Sequence, residues 1–133
     1  MIAAEPADRV VVVGAGVAGL TAALELAPLP VTLVVPATLS EGGSTAWAQG
    51  GIAAAIATGD DPQAHARDTL AVAGGLADPA VVEAVTAAAP AAVDGLASLG
   101  VRFDRNADGT PALALEGGHG AARVLHAGGD RSG

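Results

Sequence analysis

Residues 9–35, RVVVVGAGVAGLTAALELAPLPVTLVV, decide the fold of this chain. The run opens with Arg9 to Val13, a β-branched stretch of the kind used for a strand buried on both faces. Gly14, Gly16 and Gly19 follow at the G-x-G-x-x-G spacing. Gly14 allows a tight exit from the strand, Gly16 lets a pyrophosphate approach the backbone, and Gly19 lets the next helix pack closely on the sheet. That helix carries Leu20, Ala23, Leu24 and Leu26, and its free N–H groups and positive dipole end would receive the phosphates. Pro28 and Pro30 stop it, and Val31 to Val35 form a second strand. Strand, glycine turn, helix and strand make half of a dinucleotide-binding unit, so the expected class is α/β with a Rossmann-like fold. The phosphate turn is Gly14, Ala15, Gly16, Val17, Ala18 and Gly19. The acid that usually follows the second strand and binds ribose hydroxyls is replaced by Pro36 and Ala37.

Outside this stretch, composition narrows the function. The 133 residues suffice for one small domain with a core and not for two. Half the residues are apolar (51%) but only 2% are aromatic, so packing relies on small side chains. With no Cys, thiol nucleophiles, disulfides and thiolate metal sites are excluded. A formal charge of −8 argues against nucleic acid and against an anionic membrane surface. The apolar run from Val10 to Val35 is not read as a membrane span or signal, because an acidic leader precedes it and glycines and prolines break it. A cytoplasmic location fits.

Along the chain, residues 1–8 are a polar lead. Residues 36–51, PATLSEGGSTAWAQGG, lack any period and read as a loop of the kind that holds ligands in α/β folds. Residues 52–57 suit either strand or helix. Asp61 and Pro62 start a helix that runs to Gly74 and Gly75; Asp78 and Pro79 start another, which Pro90 kinks or ends before a further piece to Leu99 and the stop at Gly100. Residues 101–104 and 112–115 read as two strands of a hairpin around Asn106-Ala107-Asp108-Gly109. The chain is therefore read as the β-α-β unit at 9–35, a loop at 36–51, a helical segment at 62–99, and a hairpin with the segment that follows it at 101–133.

The motifs GSTAWAQGGIAA (43–54), EGGH (116–119) and RVLHAGGD (123–130), in that order behind the glycine turn, resemble the succinate dehydrogenase and fumarate reductase flavoprotein family. Nearly the whole chain shares the likeness, which is to the N-terminal part of longer proteins of two or three domains. The resemblance implies that residues 1–133 are an incomplete FAD-binding domain in which 36–51 is a flavin-side loop and 101–133 a hairpin and substrate-side segment, with FAD along the glycine turn and Ser44, Thr45, Ala46, Trp47, Ala48, Gln49, Gly50 and Gly51 beside the flavin. Ser44 stands where the dehydrogenase branch has the histidine bonded to FAD, so it implies non-covalent FAD. Glu116 falls where the amino-acid-oxidising branch has the acid facing the substrate amino group. It is the one residue assigned a catalytic part, that of orienting substrate, and His119 and Arg123 are given supporting roles. The implied reaction is oxidation of L-aspartate to iminoaspartate for quinolinate and NAD synthesis, with fumarate or oxygen as acceptor and a functional link to quinolinate synthase. Ala37, Leu115, Gly120 and Arg131 depart from common family residues. The capping domain, the arginine acid and the later strands of the FAD domain would lie beyond Gly133, so the chain alone is expected to be inactive.

Plainer readings stand beside these. Glu116 is also readable as a solvated surface acid, His65 as a helix-surface residue, and Asp78, Glu83 and Asp94 as helix-surface charges. His119 and His126 lack a third ligand at metal spacing, so no metal is expected. The alternatives to aspartate oxidation are a soluble fumarate reductase-type flavoprotein and a non-catalytic nucleotide-binding remnant.

Overall fold

The computed structural model describes residues 9–36, 38–39 and 44–131. The chain divides into two units, residues 1–48 with 133 and residues 49–132, taken here in turn.

In the first unit, strand β1 (Val10–Val13) and strand β2 (Val31–Val34) pair in parallel, Val10 opposite Val31 through Val13 opposite Val34. Helix α1 (Val17–Glu25) joins them, as the periodicity requires, and ends before Pro28 and Pro30. Parallel pairing needs such a crossover, because no short turn can return the chain to the same end of the sheet. Gly14 donates its N–H to Val34 O at 2.8 Å, tying the turn to the end of β2. The expectation that β1 is buried on both faces is corrected: Val11 is 58% exposed and Val13 80%. Burial alternates along the strand, so β1 has one covered face and one open face. Period and β-branching reported a strand; they could not report how many layers cover it. The position of Ala37, part of the missing-acid argument, lies outside the described residues.

The second unit is built on two helices and a small antiparallel sheet. Helix α2 (Pro62–Val72) begins as read: Asp61 accepts the Ala64 N–H at 2.7 Å, and Pro62 fills the first turn where no N–H is needed. Helix α3 (Pro79–Ser98) starts in the same way, with Asp78 accepting from Ala80 and Val81. Pro90 does not end it; the helix runs through, and Gly100 follows its C-cap Leu99 with φ of +104°. By length and composition α3 is apolar enough to cross a membrane, yet it packs along α2 and contributes Val93 to the core.

Strands β3 (Ile52–Ala53), β4 (Leu113–Ala114) and β5 (Val124–Leu125) form a sheet ordered β3-β5-β4, all antiparallel. The ambiguous 52–57 segment thus opens as a strand. The hairpin forms in part. Its turn closes with Gly109 N–H on Asn106 O at 2.9 Å, and Arg105 bridges to Pro111, but residues 101–104 form no strand. Strand β4 takes β5 as its partner across residues 115–123, while the Ala112 N–H just before it still reaches Asp104 O at 2.9 Å. Ala54, Val93 and Leu125 are the core, with Ile52, Ile56, Ala89, Phe103 and Leu113 against it.

Candidate functional site

In the first unit the site is a backbone cradle. Gly14 has φ of +101°, where a side chain would be strained, and nothing lies within 4 Å of the position its Cβ would take. Gly19 has the opposite reason for being glycine: a Cβ there would overlap the Gly14 carbonyl oxygen, so the start of α1 lies directly against the turn. Gly16 is the N-cap with extended backbone, and a Cβ would press on Thr45 Oγ1 at 3.2 Å. Thr45 also accepts the Val17 N–H at 3.3 Å. No side chain of the N-cap takes up the helix N–H groups, and no acid stands in the first turn. Open space at Gly14 and a helix start whose N-cap has no side chain and whose first turn has no carboxylate, with Thr45 Oγ1 taking only the Val17 N–H, together fit a bound pyrophosphate. Ala15 and Ala18 add only small side chains to this turn.

The 44–51 segment does not stay together as one loop. Ser44 to Trp47 form a 3-10 turn continued by Ala48 in the first unit, with the Ala48 N–H on Thr45 O at 3.0 Å, Ser44 exposed and Trp47 81% exposed. Gln49, Gly50 and Gly51 belong to the second unit. Gly51 has a structural reason of its own, since a Cβ there would strike the Val124 side chain, Leu125 O at 2.7 Å and His126 Nε2 at 3.1 Å. It is glycine so that β5 can approach.

In the second unit Glu116 opens a turn closed by His119 N–H on Glu116 O at 3.2 Å, with Gly118 at φ of +86° where only glycine is unstrained. Its carboxylate is 48% exposed and meets His126 Nε2 through Oε1 at 2.8 Å.

Behind this turn lies a buried ion cluster. Arg123 is 1% exposed and grips Asp60 with two parallel bonds, Nε to Oδ2 and Nη2 to Oδ1, both 2.8 Å. Its Nη1 donates to Asp68 Oδ2 at 2.6 Å and lies 3.3 Å from His119 Nδ1, which must accept because guanidinium only donates. Asp68 in turn accepts the Gly120 N–H at 2.7 Å. The loop before α2, α2 itself and the 116–120 turn are thereby fastened to one guanidinium. The Arg123 hydrogen bonds hold Asp60 below the usual carboxylate range; the Gly120 N–H, then Arg123, does the same for Asp68. Asp104 is lowered by the N–H groups of Gly129 and Gly128, which it accepts at 3.1 and 2.9 Å. His65, read as a surface residue, is 7% exposed on α2 with its ring 5.4 Å from that of His119. Burial, with Arg123 and His119 nearby, pushes its pKa down.

Sequence reasoning singled out the glycine turn and Glu116 but did not pair Arg123 with Asp60 and Asp68, or Glu116 with His126. One signal existed: an arginine inside the apolar run Ala121 to Leu125 demands buried acids. Nothing in the spacing said which of the 14 acids they are.

This fold and cradle define a flavin-binding α/β protein, and the chain belongs to the FAD-binding domain family, whose model matches residues 9–133. FAD is its cofactor, and its architecture is that of the FAD-binding domain of the succinate dehydrogenase and fumarate reductase flavoproteins. It is similar to an L-aspartate oxidase of Agrobacterium fabrum, 49% identical over 126 residues that cover 95% of this chain and 24% of the relative. Among solved structures, a Mycobacterium smegmatis Sdh1 complex in the apo form aligns with TM-score 0.84 and 36% identity, over 94% of this chain and 21% of that one. An E. coli quinol fumarate reductase aligns with TM-score 0.77 and 27% identity, over 89% and 20%. The chain therefore spans about a quarter of the length of the curated relative.

Proposed function

We propose that the complete gene product is a cytoplasmic, FAD-dependent oxidase that converts L-aspartate to iminoaspartate for quinolinate and NAD synthesis, and that residues 1–133 alone do not turn over. Bound non-covalently, FAD supplies a hydride acceptor. The residues that would hold it are the turn from Gly14 to Gly19 and the segment from Ser44 to Gly51. Ser44 offers a hydroxyl, which cannot form an imidazole–flavin bond, so acid denaturation should release the flavin. Glu116 would orient substrate by accepting hydrogen bonds from its α-ammonium. Fumarate is the alternative acceptor and quinolinate synthase the functional neighbour.

One observation carries this reading. Glu116 is a half-exposed carboxylate fixed through Oε1, while no hydrogen bond from a described residue reaches its Oε2. L-Aspartate differs from succinate by one ammonium group, and a charge-assisted bond to it contributes roughly 1.5–3 kcal/mol. In the complete gene product, Glu116→Gln should therefore lower kcat/KM for aspartate about ten-fold or more and leave fumarate reduction nearly unchanged. Equal loss in both reactions would make Glu116 a structural residue. Fumarate reduction without aspartate oxidation in the unmodified protein would establish the fumarate reductase reading instead.

A further inference from the structure

His126 sits between two groups that can only accept. Its Nε2 is 2.8 Å from Glu116 Oε1, and its Nδ1 is 3.2 Å from the Gly129 carbonyl oxygen. A carbonyl and a carboxylate are both acceptors, so a ring nitrogen that carries a proton donates it to the group it faces. The Gly129 end is itself braced. Asp104 accepts the N–H groups of Gly128 and Gly129, and both glycines have positive φ, +58° and +77°, so the turn that presents the Gly129 carbonyl is tied down on its other side. The Nε2 end is backed by Gly51, whose missing Cβ leaves the ring its place. A ring held at one nitrogen by a braced carbonyl and packed against a glycine points its other nitrogen in a fixed direction. That direction is Glu116.

We propose that His126 is a positioning residue: by holding Oε1 of Glu116 against the braced 128–129 turn, it fixes the carboxylate so that Oε2 is presented to the substrate ammonium. The proposal rests on the aspartate-oxidase reading of Glu116 and adds to it the residue through which Glu116 is aimed. A free glutamate has three rotatable bonds to order when substrate arrives, and a charge-assisted bond to His126 orders them beforehand.

Two variants separate this role from a structural one, because each keeps one end of the ring. In His126→Gln the amide nitrogen reaches where Nε2 was and can still donate to Glu116; in His126→Asn it reaches where Nδ1 was and can donate only to Gly129. In the complete gene product, with bound flavin measured for each variant, His126→Asn should lower kcat/KM for aspartate about five- to ten-fold. Fumarate reduction should change less than about two-fold, since fumarate has no ammonium to meet. His126→Gln should recover most of the aspartate activity. The reverse order, with Asn active and Gln impaired in both reactions, would overturn the proposal and make His126 a brace for the 128–129 turn. Parental aspartate kinetics in His126→Asn would overturn it alone and leave the reading of Glu116 standing. An unmodified protein that binds FAD but does not oxidise aspartate would overturn both.

Discussion

The two units reach order by different means. In residues 9–48 no described residue is buried; the shape is set by backbone, through a parallel strand pair, a positive φ at Gly14 and the close contact that Gly19 permits. In residues 49–131 every buried residue of the described chain is found, and three of them, His65, Thr86 and Arg123, are polar. The first unit presents N–H groups and open space; the second presents fixed side chains. The pyrophosphate reading rests on the former, and the role proposed for Glu116 rests on the latter.

The comparison breaks hardest at Arg123. Arg123→Ala leaves Asp60, whose side chain is 3% exposed, without its partner, and should cost about 3–5 kcal/mol of stability. Thermal or urea unfolding of the complete gene product measures this, and a loss under about 1 kcal/mol would show that water reaches the acid. Next comes Gly51→Ala, which places a Cβ against Val124 and Leu125 and should cost about 1–3 kcal/mol through overpacking. The matching change in the first unit, Gly14→Ala, meets no atom and should cost only the strain of its φ, about 1–2 kcal/mol. If Gly14→Ala proved the more damaging in unfolding experiments, the contrast between backbone-set and packing-set units would be wrong.

That contrast also explains what could be read in advance. Backbone demands are written in glycines and prolines, so the turn at 14–19, the caps at Asp61 and Asp78 and the stop at Gly100 were legible residue by residue. Packing demands are written in pairs distant in the chain. Arg123 meets Asp60 and Asp68 across 63 and 55 residues, and His126 meets Glu116 across a turn whose path no local pattern records. For the same reason no local pattern announces that β4 also has β5 as a partner or that His65 is buried. Its alanine-rich surroundings hold no periodic sign that a histidine points inward.

Smaller effects sharpen the picture. Asp61→Ala removes the cap of α2 and should cost about 0.5–2 kcal/mol in the same unfolding measurement. The smallest effect is on pH sensitivity. His65 has its pKa depressed below 6.5 in the fold, so the unfolded chain binds the proton first, and stability should fall as pH drops below 6.5 and level off below the folded value. Asp60 is depressed below 3.8, so its contribution is full above that value and is lost only as pH falls further, through the folded value. Unfolding of His65→Gln between pH 7.5 and 5 should lack the first slope; an unchanged slope would assign it to another group.

The most direct test of the proposed division of labour, FAD at Gly16 and substrate at Glu116, is flavin content beside aspartate kcat/KM per bound flavin, in the complete gene product carrying Gly16→Val or Glu116→Gln. Gly16→Val should lose FAD, because its branched side chain crowds Thr45 Oγ1 and a bulkier residue at this position of the glycine turn hinders the approach of a pyrophosphate. Glu116→Gln should keep FAD at the parental level and lose about ten-fold or more in aspartate kcat/KM. Full flavin content in Gly16→Val, or flavin loss in Glu116→Gln, would contradict the account.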